Sequence, residues 1–313
     1  MNWFVVALVA YFLLAIANLI DKFLVEKVLG SARAYTFIAC ILGASVFLLA
    51  PWFLSWPGWG GLFLDLGLGI LFALALLLLY ASLRRGEASR ALVIIGGSTP
   101  IFSLPLSFWV LGDSLSNNQI IAIFFLIAGV TIVALLPGRR RDFWDKLFSS
   151  LDLKQNYSLT SILLALGSGL AYSLFFVGSK FAYQSQPFLS TFLWTRLGAA
   201  FAVMFILLSP RARREIKALF TRSPKRGQNQ GLVVGNQVLG SLGFILQNYA
   251  VYLGPVAIVN ALQGVQYAWI IVLGVIVSLA APKILKEDIS WPAITQKLFA
   301  IGAISIGLYF LSL

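Results

Sequence analysis

The chain is a series of long apolar segments separated by short polar or charged ones. Runs such as residues 70–76, Ile-Leu-Phe-Ala-Leu-Ala-Leu, show none of the alternating polarity that is typical of a membrane β-strand. A helix needs roughly 20 apolar residues to cross a bilayer. The pattern predicts ten such helices, numbered here as spans one to ten: 2–20, 35–55, 62–83, 91–111, 118–136, 159–182, 190–209, 231–253, 256–280 and 293–312.

The second five spans repeat signals of the first five. Residues 111–116, Leu-Gly-Asp-Ser-Leu-Ser, precede span five, and residues 285–290, Leu-Lys-Glu-Asp-Ile-Ser, precede span ten. Within these spans Ala122 and Gly129 align with Ala300 and Gly307, and the offset is 178 residues for both pairs (300 − 122 and 307 − 129).

A duplicated unit with an odd number of spans enters the membrane upside down in its second copy. Such inverted repeats enclose a central binding site and permit alternating access. The sequence therefore predicts an all-α integral membrane protein with ten transmembrane helices in two inverted five-helix repeats, and it indicates a transporter.

Composition and charge agree with a membrane protein and predict its orientation. Hydrophobic residues make up 60% of the chain, charged residues 11%, and the mean hydropathy is +0.91. The net charge is +12, but 21 of the 23 basic residues follow odd-numbered spans, and only Lys180 and Arg196 do not. Basic loops stay in the cytoplasm, so we expect a multi-pass plasma membrane protein (bacterial inner membrane) with both termini extracytoplasmic. This distribution favours a topology signal over nucleic-acid binding.

Three regions follow from this pattern: a first five-helix repeat over 1–137, a linker over 138–158, and a second five-helix repeat over 159–313. The linker is basic and amphipathic. Its apolar residues recur at helical spacing, so it is expected in the cytoplasmic headgroup layer, as a plain connector or as a lipid-binding segment. These residues are Phe143, Trp144, Leu147, Phe148 and Leu151.

Residues for enzymatic or metal chemistry are scarce. The chain has no His, and its one Cys, Cys40, lies in span two, so neither an intrachain disulfide nor a common zinc or haem site is expected. Without His the commonest general base is missing as well. We therefore predict no enzyme activity, no cofactor and no metal.

Amide side chains are concentrated in spans eight and nine. Polar groups at membrane depth need partners or water, so they face the interior of the bundle. They either line a wet cavity or join helices by hydrogen bonds, and their number here favours the cavity. On span nine Asn260, Gln263 and Tyr267 share one helical face. The predicted substrate-binding residues are Tyr11, Asn18, Tyr80, Ser98, Tyr172, Gln247, Asn248, Asn260, Gln263 and Tyr267.

Three charged residues fall within the spans. Arg196 lies nine residues past Pro187, about 13 Å along a helix, where an Arg either pairs with carbonyls or holds an anionic substrate group. Lys180 lies near a helix end, where it either extends to the interface or faces the cavity. Asp65 is the one carboxylate within a span, and hence the sequence candidate for proton coupling, although a shallow interfacial position is the alternative.

The ordered set of motifs resembles the drug/metabolite transporter superfamily, in its ten-span form with two EamA-type domains. Residues 80–83, Tyr-Ala-Ser-Leu, look like the end of that family's third span and are echoed at 249–252. Pro100-Ile101-Phe102 resembles its fourth span. Residues 111–116 resemble its L-G-E-x-x-S signature, with Asp113 in place of Glu. The resemblance implies that spans one, three, four, six, eight and nine surround the substrate cavity.

The leading functional hypothesis is a secondary transporter of a small polar or amphipathic metabolite, amino-acid-like and exported, which works by alternating access. Its expected partners are that small-molecule substrate and the lipid bilayer, and the protein is expected to be a monomer or a homodimer. Two alternatives are a multidrug or cation efflux carrier and an uncoupled channel or facilitator. A cation extruder would favour a deep carboxylate where span one has Asn18. A channel would show uncoupled flux.

Overall fold

A computed structural model describes residues 2–27, 31–83, 88–134, 159–221, 226–280 and 291–312. Within these ranges the chain is almost wholly helical and forms no strand. The α-helices of the described residues are α1 Trp3–Lys27, α2 Ala32–Gly43, α3 Ala50–Phe53, α4 Gly58–Leu83, α5 Ala88–Leu111, α6 Asn117–Ala134, α7 Leu159–Tyr183, α8 Phe188–Met204, α9 Pro210–Thr221, α10 Arg226–Leu253, α11 Val256–Ala261, α12 Gln263–Ala280 and α13 Trp291–Ser312. The linker over 138–158 lies outside the described residues.

Each predicted span coincides with one helix or with two helices in succession. Span two is α2, a 3₁₀ segment over Ala44–Leu49, and then α3, which has Pro51 in its first turn. Proline lacks a backbone N–H and is therefore tolerated at this position, where no intrahelical hydrogen bond is needed. Span nine is α11 followed by α12, with a turn at Leu262 between them.

Seven of the described segments are long and apolar enough to cross a membrane, which supports a multi-pass membrane protein. The apolar parts of α6 and α13 are shorter, and α10 is too polar to qualify, because amides occur along much of its length. The predicted count of ten spans is therefore not confirmed. The seven segments are Trp3–Ile20, Ala32–Phe53, Gly58–Ser82, Ile94–Leu111, Leu159–Tyr183, Phe188–Leu208 and Val256–Gly274.

Helices from the two halves of the chain pack against each other throughout the bundle. α4 packs on α7 and α8, α1 on α10 and α12, α5 on α7 and α11, and α6 on α13. Many large apolar side chains point outward instead, such as Phe108, Trp109 and Phe124, each more than 60% exposed. Such an apolar exterior suits contact with lipid, whereas a water-soluble protein rarely exposes so much.

Small residues make the contact between α6 and α13 close and reciprocal. A Cβ on Gly129 would lie 3.0 Å from the carbonyl oxygen of Ala300 and 3.2 Å from the backbone nitrogen of Ile304. A Cβ on Gly307 would lie 3.0 Å from the carbonyl oxygen of Ala122 and 3.2 Å from the backbone nitrogen of Leu126. The two sets of contacts are therefore matched pair by pair at the offset of 178 residues.

A second close contact joins α4 to α8. A Cβ on Gly198 would lie 2.5 Å from the carbonyl oxygen and 2.7 Å from the Cα of Leu66. A Cβ on Gly69 would overlap the backbone of Thr195 and Ala199. Because the obstructing atoms belong to the backbone, only glycine allows the two helices to approach this closely.

The Leu-Gly-Asp-Ser-Leu-Ser motif over 111–116 forms the junction between α5 and α6. Gly112 has a φ of +70°, and hydrogen bonds from Gly112 to Phe108 and from Asp113 to Ser107 end α5. Ser116 begins α6: its hydroxyl accepts from the Gln119 N–H, and the Gln119 amide oxygen accepts from the Ser116 N–H. The motif is thus a helix stop followed by a helix start. Its second copy, at 285–290, lies outside the described residues.

Candidate functional site

Arg196 of α8 lies inside the bundle, surrounded by aromatic rings. The guanidinium carbon is 4.0 Å from the ring centroid of Phe72, 4.8 Å from that of Phe192 and 4.5 Å from that of Phe244. These three rings, called the aromatic box below, come from α4, α8 and α10. A guanidinium over an aromatic face is attracted by the electron density of the ring, by about 2 kcal/mol or more when water is excluded.

The aromatic box continues into a larger cluster of rings. Phe244 packs 4.9 Å from Phe72 and 6.0 Å from Phe175, and Tyr172 stacks on Phe176 at 6.1 Å. The side chains of Tyr172, Tyr183 and Cys40 interact electrostatically with Arg196. Of the predicted substrate-binding residues, Tyr172 is therefore beside Arg196. Sequence reasoning missed the three box phenylalanines, since nothing distinguishes them from other apolar residues.

A second group, the polar junction, joins α1, α10, α11 and α5. The Tyr11 hydroxyl donates to the Val259 carbonyl at 2.6 Å and accepts from Gln247 Nε2 at 3.3 Å. Asn260 Nδ2 donates to the Ser103 hydroxyl at 2.8 Å, while Asn260 Oδ1 is buried without a partner among the described residues. The structure therefore brings Tyr11, Gln247 and Asn260 together. Ser103 was missed, although its place within the proline-containing helix α5 was a usable signal.

The two groups meet on α10, where Phe244 of the box and Gln247 of the junction are three residues apart and so share a face. The next residue, Asn248, donates to the Phe244 carbonyl at 2.9 Å and accepts from the Tyr183 hydroxyl at 3.4 Å. Both amides are buried. The polar face of α10 thus connects the charged residue to the amide layer.

The turn at Leu262 changes the geometry predicted for span nine. Asn260 belongs to α11 and Gln263 begins α12, so the two residues do not share the face of one continuous helix. The Val265 N–H bonds to the Leu262 carbonyl, three residues back instead of four. The interruption leaves Gln263 half-buried, and its side chain makes no hydrogen bond with the described residues. The side chain of Tyr267 lies outside the described residues.

The remaining predicted substrate residues lie on three different helices. Asn18 on α1 is half-buried, and its amide makes no hydrogen bond with the part of the chain that the structure describes. Tyr80 on α4 packs edge to face on Tyr35 of α2 at 4.5 Å. Ser98 is buried on α5, where its hydroxyl donates to the Ile95 carbonyl at 3.3 Å and closely approaches Gly169 of α7.

The other two charged residues have different surroundings. Lys180 Nζ donates to the Tyr252 carbonyl at 2.7 Å, which satisfies a carbonyl of the last turn of α10. Asp65 is fully buried on α4, so the shallow interfacial position is not the one observed. One carboxylate oxygen accepts from Gln186 Nε2 at 3.5 Å, and the other has no partner among the described residues.

Comparison with known proteins agrees with this architecture. Residues 1–135 match the model of the EamA-like transporter family. A solved structure described only as a crystal structure of protein is 16% identical, covers 96% of this chain and 94% of that chain, and has a TM-score of 0.62. At that identity the likeness concerns the fold alone. No curated protein matches the chain.

Proposed function

We propose that the chain, which belongs over residues 1–135 to the EamA-like transporter family, is a secondary transporter of a small polar or amphipathic metabolite. The observation that carries the proposal is the pair of buried groups between the two halves. The polar junction joins Tyr11 and Ser103 to Gln247 and Asn260, and the aromatic box joins Phe72 to Arg196 and Phe244. Buried polar and charged groups at membrane depth are costly, and they mark substrate pathways in membrane proteins.

Alternating access by two inverted repeats is the mechanism that we infer. The reciprocal contacts of Gly129 and Gly307 support it, since an inverted pair of helices related by a two-fold axis makes matched contacts. The close α4–α8 contact supports a conformation sealed at one face of the bundle. Transport would then require α4 and α8 to separate while the opposite face closes.

The proposed substrate class is an amino-acid-like solute, moved out of the cell. Amide and aromatic side chains suit neutral or zwitterionic groups, and the buried guanidinium disfavours a cationic drug. We test this with purified protein and a metabolite panel of amino acids, neutral solutes and lipophilic cations, read out by melting temperature. Stabilisation by amino-acid-like solutes is expected, whereas stabilisation by lipophilic cations alone would indicate a multidrug carrier.

Orientation follows from the charge distribution. We propose a bacterial inner membrane location with both termini outside and the basic loops inside. On a Cys40→Ala background, a membrane-impermeant thiol reagent applied to intact cells should label Trp56→Cys and leave Arg213→Cys unlabelled. Both positions are exposed. The opposite pattern would reverse the orientation and, with it, the meaning of export.

A further inference from the structure

Arg196 has two hydrogen-bond donors that nothing in the described part of the chain satisfies. The residue is only 6% exposed, and its Nε and Nη2 atoms are both buried without a partner. In a planar guanidinium the Nε–H and one Nη2–H point in the same direction, along one edge. That edge is the one that holds both oxygens of a carboxylate in a bidentate pair.

The aromatic box compensates the charge of Arg196 but not its donors. Ring faces attract the cation through their electron density, and they offer no lone pair in the plane of the guanidinium. A buried donor without an acceptor is costly, so native proteins rarely retain one without a functional reason. Two such donors on the same edge of one side chain indicate an acceptor that is absent from the chain itself.

The described carboxylate nearest in the fold does not fill this position. Asp65 and Phe72 both lie on α4, seven residues apart, which is about 10 Å along a helix. Asp65 interacts with Gln186, which accepts in turn from the Thr191 hydroxyl. No salt bridge to Arg196 is formed among the described residues. The free edge is therefore available to a ligand.

We propose that Arg196 binds the carboxylate of the transported solute, and that the aromatic box holds an apolar body next to that carboxylate. The ligand class is a small monocarboxylate with an aromatic or branched aliphatic group, with or without an amino group. This inference rests on the proposed function and narrows its substrate class. A single buried guanidinium suits one negative charge, whereas a phosphate dianion at this depth would require a second cation.

The first test compares acid and amide forms of the same compound on the wild-type protein. The pairs are 3-phenylpropanoate and 3-phenylpropanamide, 4-methylpentanoate and 4-methylpentanamide, and L-phenylalanine and L-phenylalaninamide, titrated against purified protein by calorimetry. Loss of the bidentate, charge-assisted pair should weaken binding of each amide by about 10- to 100-fold. Equal binding of acid and amide, or binding of no carboxylate in the panel, overturns the proposal.

The second test changes the guanidinium. Arg196→Gln removes the charge, and Arg196→Lys retains it without the bidentate edge, so both should lose most of the preference for acid over amide. Arg211→Gln is the matched control, because Arg211 is exposed, and it should keep the preference. Retention of the full preference by Arg196→Gln would overturn the proposal. The wild-type comparison remains decisive if a variant fails to fold.

Counterflow in liposomes, measured on the same compounds, separates this inference from the proposed function. Counterflow of a neutral or cationic solute without carboxylate binding would retain transport and overturn the role of Arg196. Carboxylate binding that depends on Arg196 without counterflow would retain the site and overturn transport.

Discussion

Adding one methyl group at Gly198 should force α4 and α8 apart. The new Cβ would lie 2.5 Å from the Leu66 carbonyl oxygen and 2.7 Å from its Cα, and these are backbone atoms that cannot turn away. Ordinary contact begins near 3.4 Å, so the helices must separate locally by about 0.9 Å (3.4 − 2.5). Overpacking of this kind costs about 1–3 kcal/mol.

Gly67 provides the matched control for this change. It also lies within a helix, α4, and a Cβ there would have no atom within 4 Å. Because Gly→Ala raises helix propensity at both positions, the difference between the two variants isolates the packing cost. At about 2 °C per kcal/mol, Gly198→Ala should melt about 2–6 °C below Gly67→Ala.

A second readout connects this contact to transport. If α4 and α8 separate in one conformation, the same 1–3 kcal/mol should shift the ratio of open to closed protein by about 5- to 150-fold. Thr191 is fully buried, so a cysteine there, on a Cys40→Ala background, should react faster with a water-soluble thiol reagent in Gly198→Ala. Melting temperatures that agree within about 1 °C, together with unchanged labelling, would refute the packing argument.

Three further predictions concern the helix repeat, the turn at Leu262 and the buried carboxylate. Gly129→Ala and Gly307→Ala should lower the melting temperature by similar amounts, because their contacts are matched, whereas Gly302→Ala should not, since nothing lies within 4 Å of it; unequal effects would contradict the two-fold relation. Gln263→Leu should abolish transport with little change in melting temperature, because its amide bonds to none of the described residues; parallel loss of stability would indicate a structural role. Asp65→Asn should retain counterflow and abolish any accumulation driven by a pH gradient, since no other described carboxylate lies within a candidate span; accumulation that persists in this variant would exclude Asp65 as the proton carrier.

Much of the helical layout could be predicted from local sequence. Each apolar run is a helix because a run without alternating polarity suits no other structure in a membrane. The aligned small residues, Gly129 and Gly307, were informative because only a missing side chain allows such close approach. The junction at 111–116 was recognisable because glycine and serine act there on their own backbone.

The site was less predictable, because it depends on which helices meet. Burial of Arg196 could be expected, but its three ring partners come from α4, α8 and α10, and no local pattern joins them. The turn at Leu262 carries no proline or glycine at the break itself, so span nine was read as one helix. The polarity of α10 identified it correctly as an interior helix, and for the same reason it fails the test for an apolar span.

Counterflow across a liposome membrane tests the central claim most directly. Purified protein is reconstituted, the vesicles are preloaded with the unlabelled solute that most raises the melting temperature, and uptake of the labelled solute is followed. An alternating-access carrier predicts saturable uptake that is faster with solute inside than without it. Uptake that rises linearly with concentration and ignores the internal solute would contradict a carrier and indicate a channel.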